Sequence, residues 1–378
     1  MTLELSHWLL LAVLAAVSIP TLLLAAQVLI AVLPLRRVQS PQVAVPALAV
    51  LVPAHNESSG IGPTLASVQR ALRASDRLIV VADNCTDDTA AVARAAGAEV
   101  LERQDPAHRG KGYALDFGVR HLAQQPPPVV VIVDADCVVA EGSIERIASL
   151  SAHTGRPVQA LYLMQSPAAA SPMQRIKALA WTVKNLARPL GYQRLGLPCQ
   201  LMGTGMAFPW SCISNAAIAG SHLVEDLKLG LELTRARTAP LFCPEALVTS
   251  VFAANLEGAR AQRTRWEHGH LAMALGAAPG LFLDALRSAN LPLLALTLDL
   301  CVPPLALLAL ALSASAVLAL IYRLTSGAAG PLLFALALIG LLTGAVLLAW
   351  ARFGRNLIPL RILLLAPIYA LAKLPLYV

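Results

Sequence analysis

Charge is what this sequence has least of. Asp, Glu, Lys and Arg make up 13% of its 378 residues, while 57% are hydrophobic and the mean hydropathy is +0.65. Soluble domains carry about 25% charged residues. The composition excludes intrinsic disorder and disfavours a wholly soluble protein. Cysteine is sparse as well: six residues, at 85, 137, 199, 212, 243 and 301, with no Cys-x-x-Cys pair. That excludes a disulfide scaffold and a zinc site of ordinary spacing. Walker A and G-x-G-x-x-G patterns are both missing, which disfavours a P-loop ATPase and a dinucleotide dehydrogenase. The net charge is +7, without the dense basic stripe of a nucleic-acid binder.

What charge there is lies in the middle. Residues 1–35 hold only Glu4, and residues 291–378 hold Asp299, Arg323, Arg352, Arg355, Arg361 and Lys373. Trp8 to Leu35 is uncharged and longer than the ~20 residues that span a bilayer. A cleavable signal peptide fits poorly, because Glu4 replaces the basic n-region and the apolar run is too long. Arg36 and Arg37 follow, which places the middle domain on the cytoplasmic side. Leu300–Tyr322 and Ala328–Ala351 read as two more spans. Residues 357–378, interrupted by Pro359, Arg361, Pro367, Lys373 and Pro375, fit a third C-terminal span or an interfacial or re-entrant helix. The expected organisation is an N-terminal transmembrane helix over 1–35, an α/β domain over 45–270, an interfacial helix over 271–290 and a transmembrane region over 291–378. The apolar run continues to Val378, an ending that fits a longer chain.

Between the ends, short β runs alternate with helical patterns. Ala47–Val52, Arg77–Ala82, Ala98–Glu102, Val129–Val133 and Pro157–Met164 read as strands. Ile61–Arg73, Thr86–Ala96, Lys111–Gln124 and Ser143–Ser151 read as helices. This alternation predicts a mostly parallel sheet covered on both faces.

Polar residues gather just past the strand ends: Ala54-His55-Asn56-Glu57, Asp83-Asn84 and Asp134-Ala135-Asp136. Open α/β sheets bind ligands at that edge. A single Asp there is most often a turn or helix cap, but three clusters at one edge point to a site. Asp134 and Asp136, at i and i+2 beyond a buried strand, can share Mg²⁺ or Mn²⁺ with substrate phosphates. Lys111, in Arg109-Gly110-Lys111-Gly112, opens a helix where a phosphate can approach; a plain loop-to-helix junction is an equal alternative. Glu225-Asp226 starts a helix, either as acidic first-turn residues or as a general base. Gln262, Arg265 and Trp266 fall at i, i+3 and i+4 and share a helix face. They suit a sugar diphosphate, with Arg for charge and Trp for stacking; a basic face against anionic lipid is the alternative.

Together these motifs, in order and spacing, resemble family 2 glycosyltransferases of the membrane-integrated branch, which includes cellulose, hyaluronan and poly-N-acetylglucosamine synthases. They run from Pro53-Ala54-His55-Asn56-Glu57 through Asp83-Asn84-Cys85-Thr86-Asp87, Lys111-Gly112-Tyr113-Ala114-Leu115, Asp134-Ala135-Asp136 and Glu225-Asp226 to Gln262-Arg263-Thr264-Arg265-Trp266. The resemblance implies a GT-A fold, a nucleotide-sugar donor, usually UDP-linked, and inversion at the anomeric carbon. It implies that Ala54, Glu57 and Asp83 line the nucleoside pocket, with Lys111 near the base or phosphates. Asp134 and Asp136 hold the nucleotide and its metal, Mg²⁺ or Mn²⁺. Asp226 is the implied general base, its basicity raised by Glu225, and Gln262, Arg265 and Trp266 bind the diphosphate and the acceptor end. His268 or His270 is a further candidate metal ligand.

The implied setting is the bacterial cytoplasmic membrane, in exopolysaccharide, cell-surface glycan or glycolipid synthesis, with a glycan or lipid-linked acceptor and, for export, partner proteins. Two departures matter. Val224 stands where the cellulose synthase pattern has Thr. Two or three C-terminal helices are also few for a polymer channel, so single transfer to a lipid-linked acceptor weighs equally with processive synthesis. A non-catalytic scaffold or transporter subunit with a degenerate GT-A domain is the alternative of a different class.

Overall fold

A computed structural model describes residues 2–34, 44–167, 170–220, 224–252 and 256–377. Its centre is an eight-stranded sheet. The strands are β1 (Leu48–Ala54), β2 (Arg77–Asp83), β3 (Glu99–Arg103), β4 (Val129–Ile132), β5 (Val138–Val139), β6 (Val158–Gln165), β7 (Met206–Pro209) and β8 (Leu241–Val251). They lie in the order β3-β2-β1-β4-β7-β6-β8-β5. Strands β3, β2, β1 and β4 are mutually parallel, as are β6 and β8, whereas β7 and the two-residue β5 run against their neighbours.

The alternation expected of an α/β domain sorts the side chains to two faces. Leu48, Val50 and Val52 of β1 pack with Ile61, Leu65 and Val68 of α2 (Ile61–Gln69) and with Ile144 and Ile147 of α5 (Ser143–Thr154). Ala93 of α3 (Thr89–Ala95) joins that layer. Ala49 and Leu51 turn the other way, onto Leu115, Val119 and Leu122 of α4 (Lys111–Leu122). Gly118 lets α4 approach, since a Cβ there would sit 2.5 Å from Leu51 Cδ1. Both faces are covered, so β1 and β4 are buried throughout and read as continuous apolar runs.

The strands expected from β1 to β6 are present, with β5 added. Strands β7 and β8 give no comparable run: β7 is four residues long and follows a Gly-Thr-Gly turn, and Pro244 and Glu245 interrupt β8.

Outside the sheet, α6 (Pro172–Thr182) passes through a π-helical turn, Val183–Ala187, into α7 (Arg188–Arg194). A short α8 (Trp210–Ile213) leads to α9 (Glu225–Arg235). Then come α10 (Leu256–Gly276), α11 (Ala278–Arg287) and α12 (Leu291–Leu300). The stretch 271–290 is therefore not one helix: α10 runs on to Gly276, and the axis bends by 48° into α11. Three stretches among the described residues are long and apolar enough to cross a membrane: Glu4–Val32 in α1 (Thr2–Val32), Leu305–Ser326 (α13), and Gly330–Gly354, which contains α14 (Gly330–Ala349). Residues 357–377 form only short helices, at Leu360–Leu363, Ala366–Leu371 and Leu374–Tyr377. Ile358 and Leu363 pack on Ile176 and Leu179 of α6.

Candidate active site

The parallel register carries the ends of β1, β2 and β4 to one edge, with Ala54 opposite Ala82 and Leu51 opposite Ile132. Beyond β4 the chain reaches Asp134, whose backbone N–H donates to Thr204 Oγ1 at 3.0 Å. That fixes the Gly203-Thr204-Gly205 turn against the strand end. The buried Gln159 amide holds the turn from below: Nε2 donates to Thr204 O at 2.9 Å, and Oε1 accepts from Met202 N–H at 2.8 Å.

Gly203 is where three charged residues meet. Its φ is +91°, and a Cβ built on it would lie 3.3 Å from Asp226 Oδ2, 3.5 Å from Lys111 Nζ and 3.9 Å from Asp134 Oδ2. Lys111, the first residue of α4, forms an ion pair with Asp134 and donates to Gly203 O at 2.7 Å. Asp226 comes from the first turn of α9. These groups line a cavity of about 400 Å³ that also includes Asp136, Tyr162, Trp181 and Trp266.

Burial raises the pKa of Asp134, with Lys111 opposing it. Burial likewise raises Asp226, again opposed by Lys111. That rise comes from desolvation, and the expected repulsion from Glu225 is not among its main causes. Burial disfavours charge on Lys111 too, but Asp134, Glu225 and Asp226 more than offset this and hold its pKa above the ordinary lysine value.

Asp134, Asp136 and Cys137 place ligand atoms within 4.8 Å of one another, and they are the only such group of His, Cys, Asp and Glu among the described residues. Cys137 is fully buried, and burial pushes its thiol pKa up. Mg²⁺ and Mn²⁺ take hard oxygen ligands in preference to a thiol, so the two carboxylates are the ligands that suit them. His268 and His270 do not join them: their Nε2 atoms contact Leu376 O at 2.8 Å and Val302 O at 3.2 Å.

Of the residues singled out from the sequence, Lys111, Asp134, Asp136, Asp226 and Trp266 share this one cavity. Ala54, Glu57 and Asp83 stand beside it at the ends of β1 and β2 rather than in its wall. Burial raises the pKa of Glu57, followed by repulsion from Asp136. Asp83 is buried and pairs with Arg103 Nη1 at 2.6 Å. The side chains of Gln262 and Arg265 lie outside the described residues; both positions fall on α10. Trp266 packs against Trp181 with ring centroids 5.2 Å apart.

Sequence reasoning missed Trp181, Lys184 and Arg188, which line the same cavity. No motif marks them. The available signal was their i, i+3, i+7 spacing, which puts three cation or aromatic side chains on one helix face.

A mostly parallel sheet covered by helices on both faces, with paired carboxylates past the end of one strand, is a GT-A fold. Residues 46–269 match the family model described as glycosyltransferase like family 2, and the chain belongs to that family. An uncharacterized glycosyltransferase of Mycobacterium tuberculosis is 34% identical over 123 residues, 31% of this chain and 52% of the relative. The 4,4'-diaponeurosporenoate glycosyltransferase of Staphylococcus aureus is 39% identical over 93 residues, 24% of each chain. The chain thus spans at most about half the length of these curated relatives. Among solved structures, a mannosyltransferase from Pyrobaculum calidifontis in complex with GDP-Man and Mn²⁺ is similar over 98% of both chains, with a TM-score of 0.59 and 19% identity. That likeness establishes the fold.

Proposed function

We propose that the protein transfers a sugar from a nucleotide-sugar, a UDP-sugar in our reading, to a hydroxyl of a glycan or lipid-linked acceptor at the cytoplasmic face of a membrane, with inversion. The observation that carries this reading is the convergence of Lys111, Asp134 and Asp226 on Gly203. Direct displacement needs a base on one side of the sugar and a stabilised leaving group on the other. Asp226 suits the first role: it faces the cavity, and its raised pKa makes it a stronger base than an ordinary carboxylate. Lys111 suits the second, as a cation that stays protonated beside the phosphate-binding edge.

Asp134 and Asp136 offer the hard oxygen ligands that Mg²⁺ or Mn²⁺ takes. A divalent ion held there supplies positive charge to the departing diphosphate. Trp266, against Trp181, offers a flat apolar wall to a sugar ring. Ala54, Glu57 and Asp83 take the nucleoside end in this reading, and Gln262 and Arg265 the diphosphate and acceptor. The GDP-Man and Mn²⁺ of the Pyrobaculum protein support a metal-dependent donor site and make GDP-mannose a donor to test. The three long apolar helices support the membrane setting.

The test is release of nucleoside diphosphate by the purified full chain. UDP-glucose, UDP-N-acetylglucosamine, UDP-galactose and GDP-mannose are supplied with Mn²⁺, and product size is measured. One donor should be consumed, and EDTA should stop the reaction. Full transfer by both Asp226→Asn and Asp136→Ala would overturn the assignment.

A further inference from the structure

The short helices of residues 357–377 put no side chain into the catalytic cavity, yet they touch both helices that supply its tryptophans. Their first half packs on α6. Ile358 and Leu363 are buried against Ile176 and Leu179, with Tyr369 beside them. The Ile358 carbonyl also accepts from Trp350 Nε1 at 2.8 Å. Trp350 opens a π-helical turn, Trp350–Gly354, that ends the third long apolar stretch. That turn lies close against α6 as well: a Cβ at Gly354 would sit 2.5 Å from Leu179 Cδ1.

The second half holds α10. Lys373 forms an ion pair with Glu267, and Tyr377 Oη donates to the same carboxylate. One residue on, His268 Nε2 hydrogen-bonds to Leu376 O at 2.8 Å. The Glu267 and Lys373 side chains are only 13% and 10% exposed, and among the described residues both side-chain donors to Glu267 come from this stretch. A carboxylate so shielded from water needs its donors, so withdrawing them is costly. The pair is a firm connection, unlike an exposed salt bridge.

Glu267 directly follows Trp266, so a helix held at Glu267 is held at Trp266 too. Trp266 meets Trp181 of α6 with ring centroids 5.2 Å apart and planes inclined at 43°. Behind them a second cavity, of about 110 Å³, adjoins the first, and Trp181, Trp266, Glu267, Tyr369 and Lys373 all border it. Because α6 and α10 leave this space open, their separation is set by what spans them, and residues 357–377 do so. We propose that this stretch is a strap that fixes the separation of α6 and α10, with Glu267 as the positioning residue through which it holds Trp266 against Trp181. The strap thereby shapes the wall that meets the sugar. That substrate role rests on the glycosyltransferase reading; the hold on the tryptophan pair does not.

The experiment uses the full chain in nanodiscs. Two indoles this close and inclined give an exciton couplet in far-UV circular dichroism, and Trp181→Phe identifies it by erasing it. Lys373→Glu sets like charges together and should weaken the couplet. In the same variant KM for the preferred donor should rise about 10-fold, as for loss of one aromatic stacking contact, with kcat changing less. Exchanging the charges, Glu267→Lys with Lys373→Glu, should restore both signals. Should Lys373→Glu fail to fold, Tyr377→Phe removes a single donor and should move the couplet and KM the same way by less. A couplet that stays parental in these single variants, or a charge exchange that restores neither signal, overturns the proposal. If the couplet responds and is rescued while KM stays, the strap stands and Trp266 is not the sugar's wall. If it responds and is rescued but the parent consumes no nucleotide-sugar, the strap stands and the glycosyltransferase reading falls.

Discussion

The Lys111 ammonium bridges the Asp134 carboxylate and, at 2.7 Å, the carbonyl of Gly203, so one cation ties the end of β4 to the turn that faces Asp226. Lys111→Gln keeps a donor of similar reach and removes the charge. The expected loss in kcat/KM is about 10²-fold, typical of deleting one preorganised stabiliser of a leaving group. Steady-state kinetics on the preferred donor would check it, and a variant within about twofold of the parent would place Lys111 outside the chemistry.

The pH profile should carry the mark of Asp226. Burial raises its pKa, and a general base works only when ionised, so kcat/KM should fall as pH drops through that raised value. The acid limb should therefore lie above the ordinary aspartate value of about 3.9. Lys111 lowers the pKa of Asp226, so in Lys111→Gln the limb of the residual activity should move to still higher pH. A limb that stays in place in the variant would separate Lys111 from Asp226.

The metal should depend on the carboxylates and not on the neighbouring sulfur. Cys137 Sγ is buried and donates to Asp136 Oδ1 at 3.3 Å, and a thiol is a poor ligand for Mn²⁺ beside two carboxylates. Cys137→Ala is expected to leave the Mn²⁺ concentration for half-activation unchanged. Asp136→Ala should raise it by about 10-fold or more, judging from losses at metal sites when a supporting group is removed. Mn²⁺ titration of the EDTA-stripped protein distinguishes the two.

Much of this arrangement was legible before the structure. Val129–Val133 reads as a buried strand because both sheet faces are covered, and Asp134 and Asp136 then fall at the ligand-binding edge. The Lys111–Asp134 pair was not legible, because the two residues belong to different elements and meet only when α4 packs onto the sheet. Strand β7 was hidden for a local reason: a four-residue strand after a Gly-Thr-Gly turn has too little periodicity to announce itself. The partner of Asp83 was equally hidden: Arg103, which pairs with it, comes from the next parallel strand, twenty residues on. Lys184 and Arg188 escaped because their meaning depends on which cavity their helix face borders.

Gly203→Ala tests how tightly the centre is built. The φ of +91° disfavours any L side chain, and the added methyl would press on Asp226 Oδ2 at 3.3 Å while meeting Lys111 Nζ at an ordinary contact distance of 3.5 Å. Left-handed backbone costs a non-glycine residue about 1–2 kcal/mol, so thermal unfolding should shift modestly. Activity should fall much further, because displacing Asp226 misaligns the base. A variant that loses stability but keeps kcat would show that the convergence on Gly203 is packing alone.

The last prediction concerns the joint between the apolar helices and the catalytic domain. Arg188 donates to the Asp299 carboxylate at 2.6 Å, to its carbonyl at 2.8 Å and to Gln27 Oε1 at 3.1 Å, while Gln27 Nε2 donates to Asp299 at 2.6 Å. All three side chains are buried, and they join α1, α7 and α12. Asp299→Ala strands the Arg188 charge and should cost about 3–5 kcal/mol, whereas removing both charges with apolar residues of similar size is often neutral. The double variant Arg188→Met, Asp299→Leu should therefore melt near the parent, well above Asp299→Ala alone. A single variant that costs no more than a surface change, about 0.5 kcal/mol, would show the network to be solvated. Arg188 also lines both cavities, so the double variant separates two roles: if it refolds to parental stability yet transfers sugar poorly, the arginine serves the substrate as well as the joint.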